Sequence, residues 1–240
     1  MIKTIILSIF FLSSIGYPSP FLSSKCNSIE SIINGKDTIK IKYECDRFGK
    51  TIIRKKNGKF DGVSESWDLK GYKVAEERYI DDKREGIVIS WDSLGDTVRF
   101  KPYHNGKPIG FHQEYYSKGK PSRFTHYDSL GRKQGLEEYW QENGARGDSA
   151  FFRDDYYVEI RQYFNDGKPR LWMKYSAPDV LDTAIAYAPD GKNVSTVSKG
   201  SGDMMLFSED QTQIFIVRYT NGKYEWAKPL KDALPKTKEK

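Results

Sequence analysis

The 240 residues carry a net charge of +6, with 38% hydrophobic and 14% aromatic side chains, a length that fits one large domain or two small ones. That aromatic content excludes a disordered chain, and Lys and Arg scattered among Asp and Glu exclude the concentrated basic stripe of a nucleic-acid binder. A polar chain rich in Tyr, Phe and Trp points to a flat or elongated fold that buries its apolar area in a thin layer. In chain order, Lys3 comes first, then an apolar run over residues 5–15, with Ser14 and Gly16 at the −3 and −1 positions of a signal-peptidase site. The run is too short for a membrane-spanning helix, which needs about 20 residues. Residues 1–16 therefore read as a cleaved secretory signal, with cleavage after Ser19 as the alternative, and the mature chain is expected in the periplasm, the outer envelope or outside the cell.

Residues 17–33 form a lead-in. A lipid-attachment box at Cys26 is broken by Lys25, where a small residue belongs. An oxidising compartment would permit a disulfide between Cys26 and Cys45, worth about 3 kcal/mol in the chain-entropy model; two unpaired thiols are the other reading. With no histidine nearby, the pair makes no zinc site.

Residues 34–144 repeat. Gly62, Gly86, Gly110 and Gly135 are spaced by 24, 24 and 25 residues. Five residues after each stands Trp67, Trp91, Tyr115 or Trp140, and four further on Gly71, Gly95, Gly119 or Gly144. Tyr79, Tyr103 and Tyr127 follow the first three glycines by 17 residues, and turns such as Asn105-Gly106-Lys107 close the cycle. Upstream, Thr38 and Tyr43 fill the glycine and aromatic positions. Downstream, residues 145–162 read as an insertion, and residues 163–226 as degenerate units. There Arg170 stands in a glycine position and Tyr175 in an aromatic one, while Gly202, Phe207 and Tyr219 restore the offsets of 5 and 17. A basic tail occupies residues 227–240. Val63 with Trp67, Ile87 with Trp91, Phe111 with Tyr115 and Leu136 with Trp140 have the even spacing that puts each pair on one strand face. Asn-Gly pairs suit tight hairpins. The expectation is an all-β fold: about seven tandem hairpins in an elongated, twisted, single-layer antiparallel sheet. Each repeat glycine sits where a Cβ would meet a neighbouring aromatic, or where the backbone bulges.

The marks Tyr79, Asp82-Lys83, Gly86, Trp91 and Gly95, repeated at Tyr103, Gly106-Lys107, Gly110, Tyr115 and Gly119, resemble the MORN repeat. The resemblance is closer to the bacterial MORN variants labelled YwqK-type antitoxins, which Tyr187-Ala188-Pro189-Asp190-Gly191 and Gly200-Ser201-Gly202 also resemble. It spans residues 34–226. It implies scaffolding, partner binding or membrane-surface association, with no common catalytic residues; an antitoxin role fits poorly with an export signal.

Catalytic chemistry is sparse. His104, His112 and His126 have no Cys or paired carboxylate at ligand spacing, and no P-loop, nucleophile elbow or helical two-histidine zinc motif occurs. The acidic residues Asp148, Asp154 and Asp155 lack the alternating oxygen ligands of a calcium loop. No enzyme activity, metal or cofactor is expected. The candidate binding residues are Trp67, Trp91, Tyr115 and Trp140, either the sheet's thin core or an open strip for a protein partner. A glycan or an anionic lipid surface is the alternative ligand.

Overall fold

The computed structural model describes residues 28–43 and 49–230. The signal segment 1–16, Cys26, Cys45 and residues 231–240 of the tail lie outside the described residues. Among the described residues, twenty-one strands succeed one another: β1 (Ile29–Asn34), β2 (Asp37–Tyr43), β3 (Lys50–Lys56), β4 (Lys59–Phe60), β5 (Gly62–Trp67), β6 (Lys73–Ile80), β7 (Lys83–Arg84), β8 (Gly86–Trp91), β9 (Thr97–His104), β10 (Lys107–Pro108), β11 (Gly110–Tyr115), β12 (Pro121–Tyr127), β13 (Gly135–Trp140), β14 (Arg146–Arg153), β15 (Tyr156–Tyr163), β16 (Pro169–Ala177), β17 (Val180–Tyr187), β18 (Asn193–Val197), β19 (Gly202–Phe207), β20 (Ile214–Thr220) and β21 (Lys223–Pro229). The first eighteen form one open antiparallel sheet and the last three a second. Long strands pair with their sequence neighbours, as β2 with β3, β5 with β6, β8 with β9 and β13 with β14. The fold is thus an all-β array of tandem hairpins, not closed into a barrel.

Two kinds of turn alternate, and each has a sequence cause. Asn57-Gly58, Asp81-Asp82, Asn105-Gly106, Asp154-Asp155 and Asn221-Gly222 have positive φ at both central residues, which makes two-residue turns whose twist matches the strands. The opposite edge carries longer turns that end in a positive-φ glycine. In the first, Gly71 N–H donates to Asp68 O at 3.1 Å and Asp68 N–H to Tyr72 O at 2.9 Å, and the Asp68 carboxylate accepts from Lys70 and Tyr72 N–H, both at 2.9 Å. Asp92 and Asp128 repeat this arrangement. Successive two-residue turns are stitched together: Phe60 N–H donates to Asp82 Oδ1 at 2.7 Å, and Asp82 N–H to Phe60 O at 2.9 Å.

The offset of 17 is a cross-strand pair. Gly62 faces Tyr79, Gly86 faces Tyr103, Gly110 faces Tyr127 and Gly202 faces Tyr219. The glycines are required by conformation. Gly62, Gly86, Gly110, Gly135 and Gly202 all have positive φ, and a Cβ on Gly86 or Gly135 would meet nothing within 4 Å. The first four follow a bulge, at which Asp61, Glu85, Ile109 or Gln134 N–H returns to the preceding strand, whereas Gly202 follows the turn closed by Ser201 N–H to Ser198 O at 3.2 Å. Of the two reasons expected for these glycines, the bulge holds and the clash with an aromatic does not.

The sheet runs straight through residues 145–162. They form β14 and β15, Phe152 faces Gly135 as Tyr79 faces Gly62, and Asp154-Asp155 makes the turn. The stretch is one more hairpin of the array. Tyr163 consequently precedes a glycine-ended turn at Gly167, the place Trp67 holds before Gly71, while Tyr175 stacks at 6.4 Å on Tyr157. The register expected for Arg170 and Tyr175 is therefore displaced by half a repeat.

The buried core lies at the C-terminal end. Leu171, Met173, Ala184, Ala186 and Val197 share one face by their pairing and pack with Leu181 against Met204 and Val217 of the small sheet. The expected single layer thus becomes two layers over β16–β18. The tail expected from residue 227 begins inside β21, where Lys228 Nζ lies 4.6 Å from the Trp226 ring centroid.

Candidate functional site: the open aromatic face

Cross-strand pairing sorts the side chains of β2–β14 into two faces. One carries Trp67, Trp91, Tyr115 and Trp140 in a row beside the glycine-ended turns. Basic and small residues alternate with them, for Lys50 and Lys73 both pair with Trp67, Thr97 with Trp91, Pro121 with Tyr115 and Arg146 with Trp140. Lys50 Nζ stands 4.1 Å from the Trp67 ring centroid, a cation–π contact. Lys73 stands 6.0 Å from the Trp91 ring and is held there by Glu65 at 2.8 Å and by Glu76. Phe124 bridges the far end, edge-on to Tyr115 at 6.2 Å and to Trp140 at 5.0 Å. All four row members are half-buried, so they are neither the buried core nor free-standing.

The same face carries a series of apolar side chains from β8 to β14, interspersed with Gln113, His126 and Glu138. Ile89 pairs with Phe100, Phe100 with Gln113, and Gln113 with Phe124. Beyond them, Phe111 is 64% exposed, Leu136 48%, Ile87 47% and Phe151 43%. An amphipathic sheet ordinarily turns such a face inward, and contiguous exposed apolar area marks interaction surfaces. A hollow of about 350 Å³ opens among Thr97, Phe100, Gln113 and Tyr115, and a cleft of about 500 Å³ lies beyond Trp140, lined by Tyr116, Asp148, Tyr163 and Glu209. Phe100, Phe124 and Phe151 belong to the site although the repeat offsets do not single them out. They lie on the partner strands, where pairing with Ile89, Gln113 and Leu136 is the signal that places them.

The opposite face mixes paired charges with a second series of aromatic rings. Glu137, 4% exposed, accepts from Arg123, from Thr125 Oγ1 at 2.9 Å and from Lys133 at 3.1 Å. Burial alone would raise its carboxyl, but those hydrogen bonds and the Arg123 charge hold it below the ordinary carboxylate range. Glu114 is likewise held down, chiefly by Lys101 at 2.8 Å against the opposing effect of burial. Tyr79, Tyr103 and Tyr127 run along this face too. The His112 ring sits 5.2 Å from Tyr103 and 4.7 Å from Tyr127. Its Nε2 lies 2.9 Å from Pro102 O; a carbonyl only accepts, so Nε2 carries the proton. Burial holds the imidazole below its usual value and therefore neutral at pH 7.

The three histidines serve separate structural contacts. His104 faces Glu85 at 2.9 Å, and His126 Nδ1 meets Gln134 O at 3.0 Å. Among the described residues, no group of three or more His, Cys, Asp or Glu could hold a metal ion. The face carrying the tryptophans offers rings and fixed positive charge rather than a cluster of catalytic groups. No protein-family model and no curated protein matches this chain.

Proposed function

We propose that this chain is an exported MORN-like repeat protein that binds another protein along the open aromatic face. One observation carries the reading: the exposed apolar side chains Ile87, Phe111, Leu136 and Phe151 share a face of the sheet with the Trp67–Trp140 row, whereas the largest buried cluster is built elsewhere. Exposed aromatics held rigid by strand pairing lose little entropy on binding, which suits them as anchors. Lys50 beside Trp67 and Arg146 beside Trp140 favour a partner segment that alternates apolar and acidic side chains. The reading includes secretion and a scaffolding role in the envelope or outside the cell; an antitoxin-like role would use the same face.

The test compares the wild type with an Ile87→Ser/Phe111→Ser/Leu136→Ser variant in pull-downs from envelope and secreted fractions. The expected result is one stoichiometric protein retained by the wild type and lost with the variant, at unchanged circular dichroism. Retention by both proteins would refute the site. Salt-sensitive co-sedimentation of the wild type with anionic liposomes or cell-wall glycan, without a protein partner, would replace the ligand class.

A further inference from the structure

We propose that two copies of this chain join through β1, edge to edge, into one continuous sheet. β1 pairs with β2 along one side, from Ile29 opposite Lys42 to Asn34 opposite Asp37; among the described residues no strand pairs with its other side. Antiparallel residues alternate between those bonded to the partner strand and those whose N–H and C=O point away. Ser28 O accepts from Tyr43 N–H at 3.0 Å, so the even-numbered residues face β2. Ile29, Ser31 and Ile33 therefore turn their backbone groups to the open edge, and Ile29 is 62% and Ile33 70% exposed.

The edge is self-complementary. A two-fold axis through Ser31 is the one register that pairs all three outward residues. It sets Ile29 against Ile33 of the second copy, Ser31 against Ser31, and Glu30 against Ile32. No like charges oppose one another, and both isoleucine pairs fall on one side of the sheet. Exposed edges are ordinarily guarded by Lys, Pro, a bulge or a covering element. β1 carries no Lys, no Pro and no bulge in its sequence IESIIN. The far end of the array differs: β19 packs on β17 and β18, and the last strand, β21, carries Lys223, Lys228 and Pro229. One end is closed and the other open, which yields a closed dimer rather than a fibre.

The test is sedimentation velocity of the full chain over a concentration series, with hydrogen exchange at each end of the series. The expected result is a monomer–dimer equilibrium in which the amides of Ile29, Ser31 and Ile33 gain protection as concentration rises. Ser31→Pro removes one outward donor per copy and leaves the β2-facing bonds intact, so it weakens the dimer by at least about tenfold. Ile33→Lys, which changes no backbone group, sets an ammonium against Ile29 of the second copy and weakens it likewise. A monomer at all concentrations overturns the proposal. So does protection of these amides independent of concentration, which would mean that the chain covers its own edge, or a dimer that survives both substitutions.

Discussion

Glu137 is the most demanding polar residue of the array, and Glu137→Gln tests its surroundings without changing their shape. The substitution removes the negative charge from a side chain that is 5% exposed, leaves Lys133, 25% exposed, without its counter-ion, and leaves Arg123, 32% exposed, with only the more distant Glu114 at 3.8 Å. Breaking a fully buried pair costs about 3–5 kcal/mol. Solvent reaches both cations here and the Gln oxygen still accepts from Thr125, so the expected loss is about 2 kcal/mol at pH 7. The carboxyl is held down in the folded state, so its contribution is present above the unfolded value of 4.5 and disappears as pH falls through the folded value. Urea denaturation at pH 7 and pH 3 reads both quantities. Wild type and variant differ by about 2 kcal/mol at the first pH and by less at the second, where the wild-type carboxylate begins to lose its advantage. A difference below about 0.5 kcal/mol at pH 7, or one independent of pH, would refute the account of this network.

Gly86→Ala costs about 1–2 kcal/mol in thermal or urea unfolding through its positive φ alone, and Gly86→Asn recovers part of that; equal losses for both would point to steric crowding instead. Leu181→Ala opens the C-terminal core, where Leu181 is 1% exposed, and costs about 2–5 kcal/mol by the same measurement. Phe111→Ser, on the open face, changes stability by less than about 1 kcal/mol. Burial pushes the Tyr175 hydroxyl up to about 12, so spectrophotometric titration of the wild type against Tyr175→Phe finds this tyrosine ionising last.

Much of the fold was legible because its repeat is written in residues with single physical uses. The glycine-to-tyrosine offset is a strand pair, and Asn-Gly and Asp-Asp mark two-residue turns. The repeat contains two turns, so a reading frame can slip by half a unit. That slip made Arg146–Arg153 and Tyr156–Tyr163 look like an insertion and gave Tyr175 the wrong neighbours, since Phe152 and Asp154-Asp155 replace Tyr and Asn-Gly without changing the geometry. The second layer was not legible: Ala184, Ala186 and Val197 differ little from other strand residues until β19 folds back over them. Glu137 was missed because a glutamate within a strand reads as a solvated side chain, and only its neighbours Arg123, Thr125 and Lys133 show otherwise. The candidate row of Trp67, Trp91, Tyr115 and Trp140 came from spacing, whereas the exposure of its surroundings needed coordinates.

Hydroxyl-radical footprinting of the free protein, read residue by residue, separates an open face from a buried one. Phe111, Leu136 and Phe151 should be modified at rates near those of exposed side chains, while Met173 and Met204, chemically far more reactive, stay protected between the two sheets. Rapid oxidation of both methionines together with protection of Phe111 and Leu136 would place the core on the wrong side and leave the proposed binding face without a foundation.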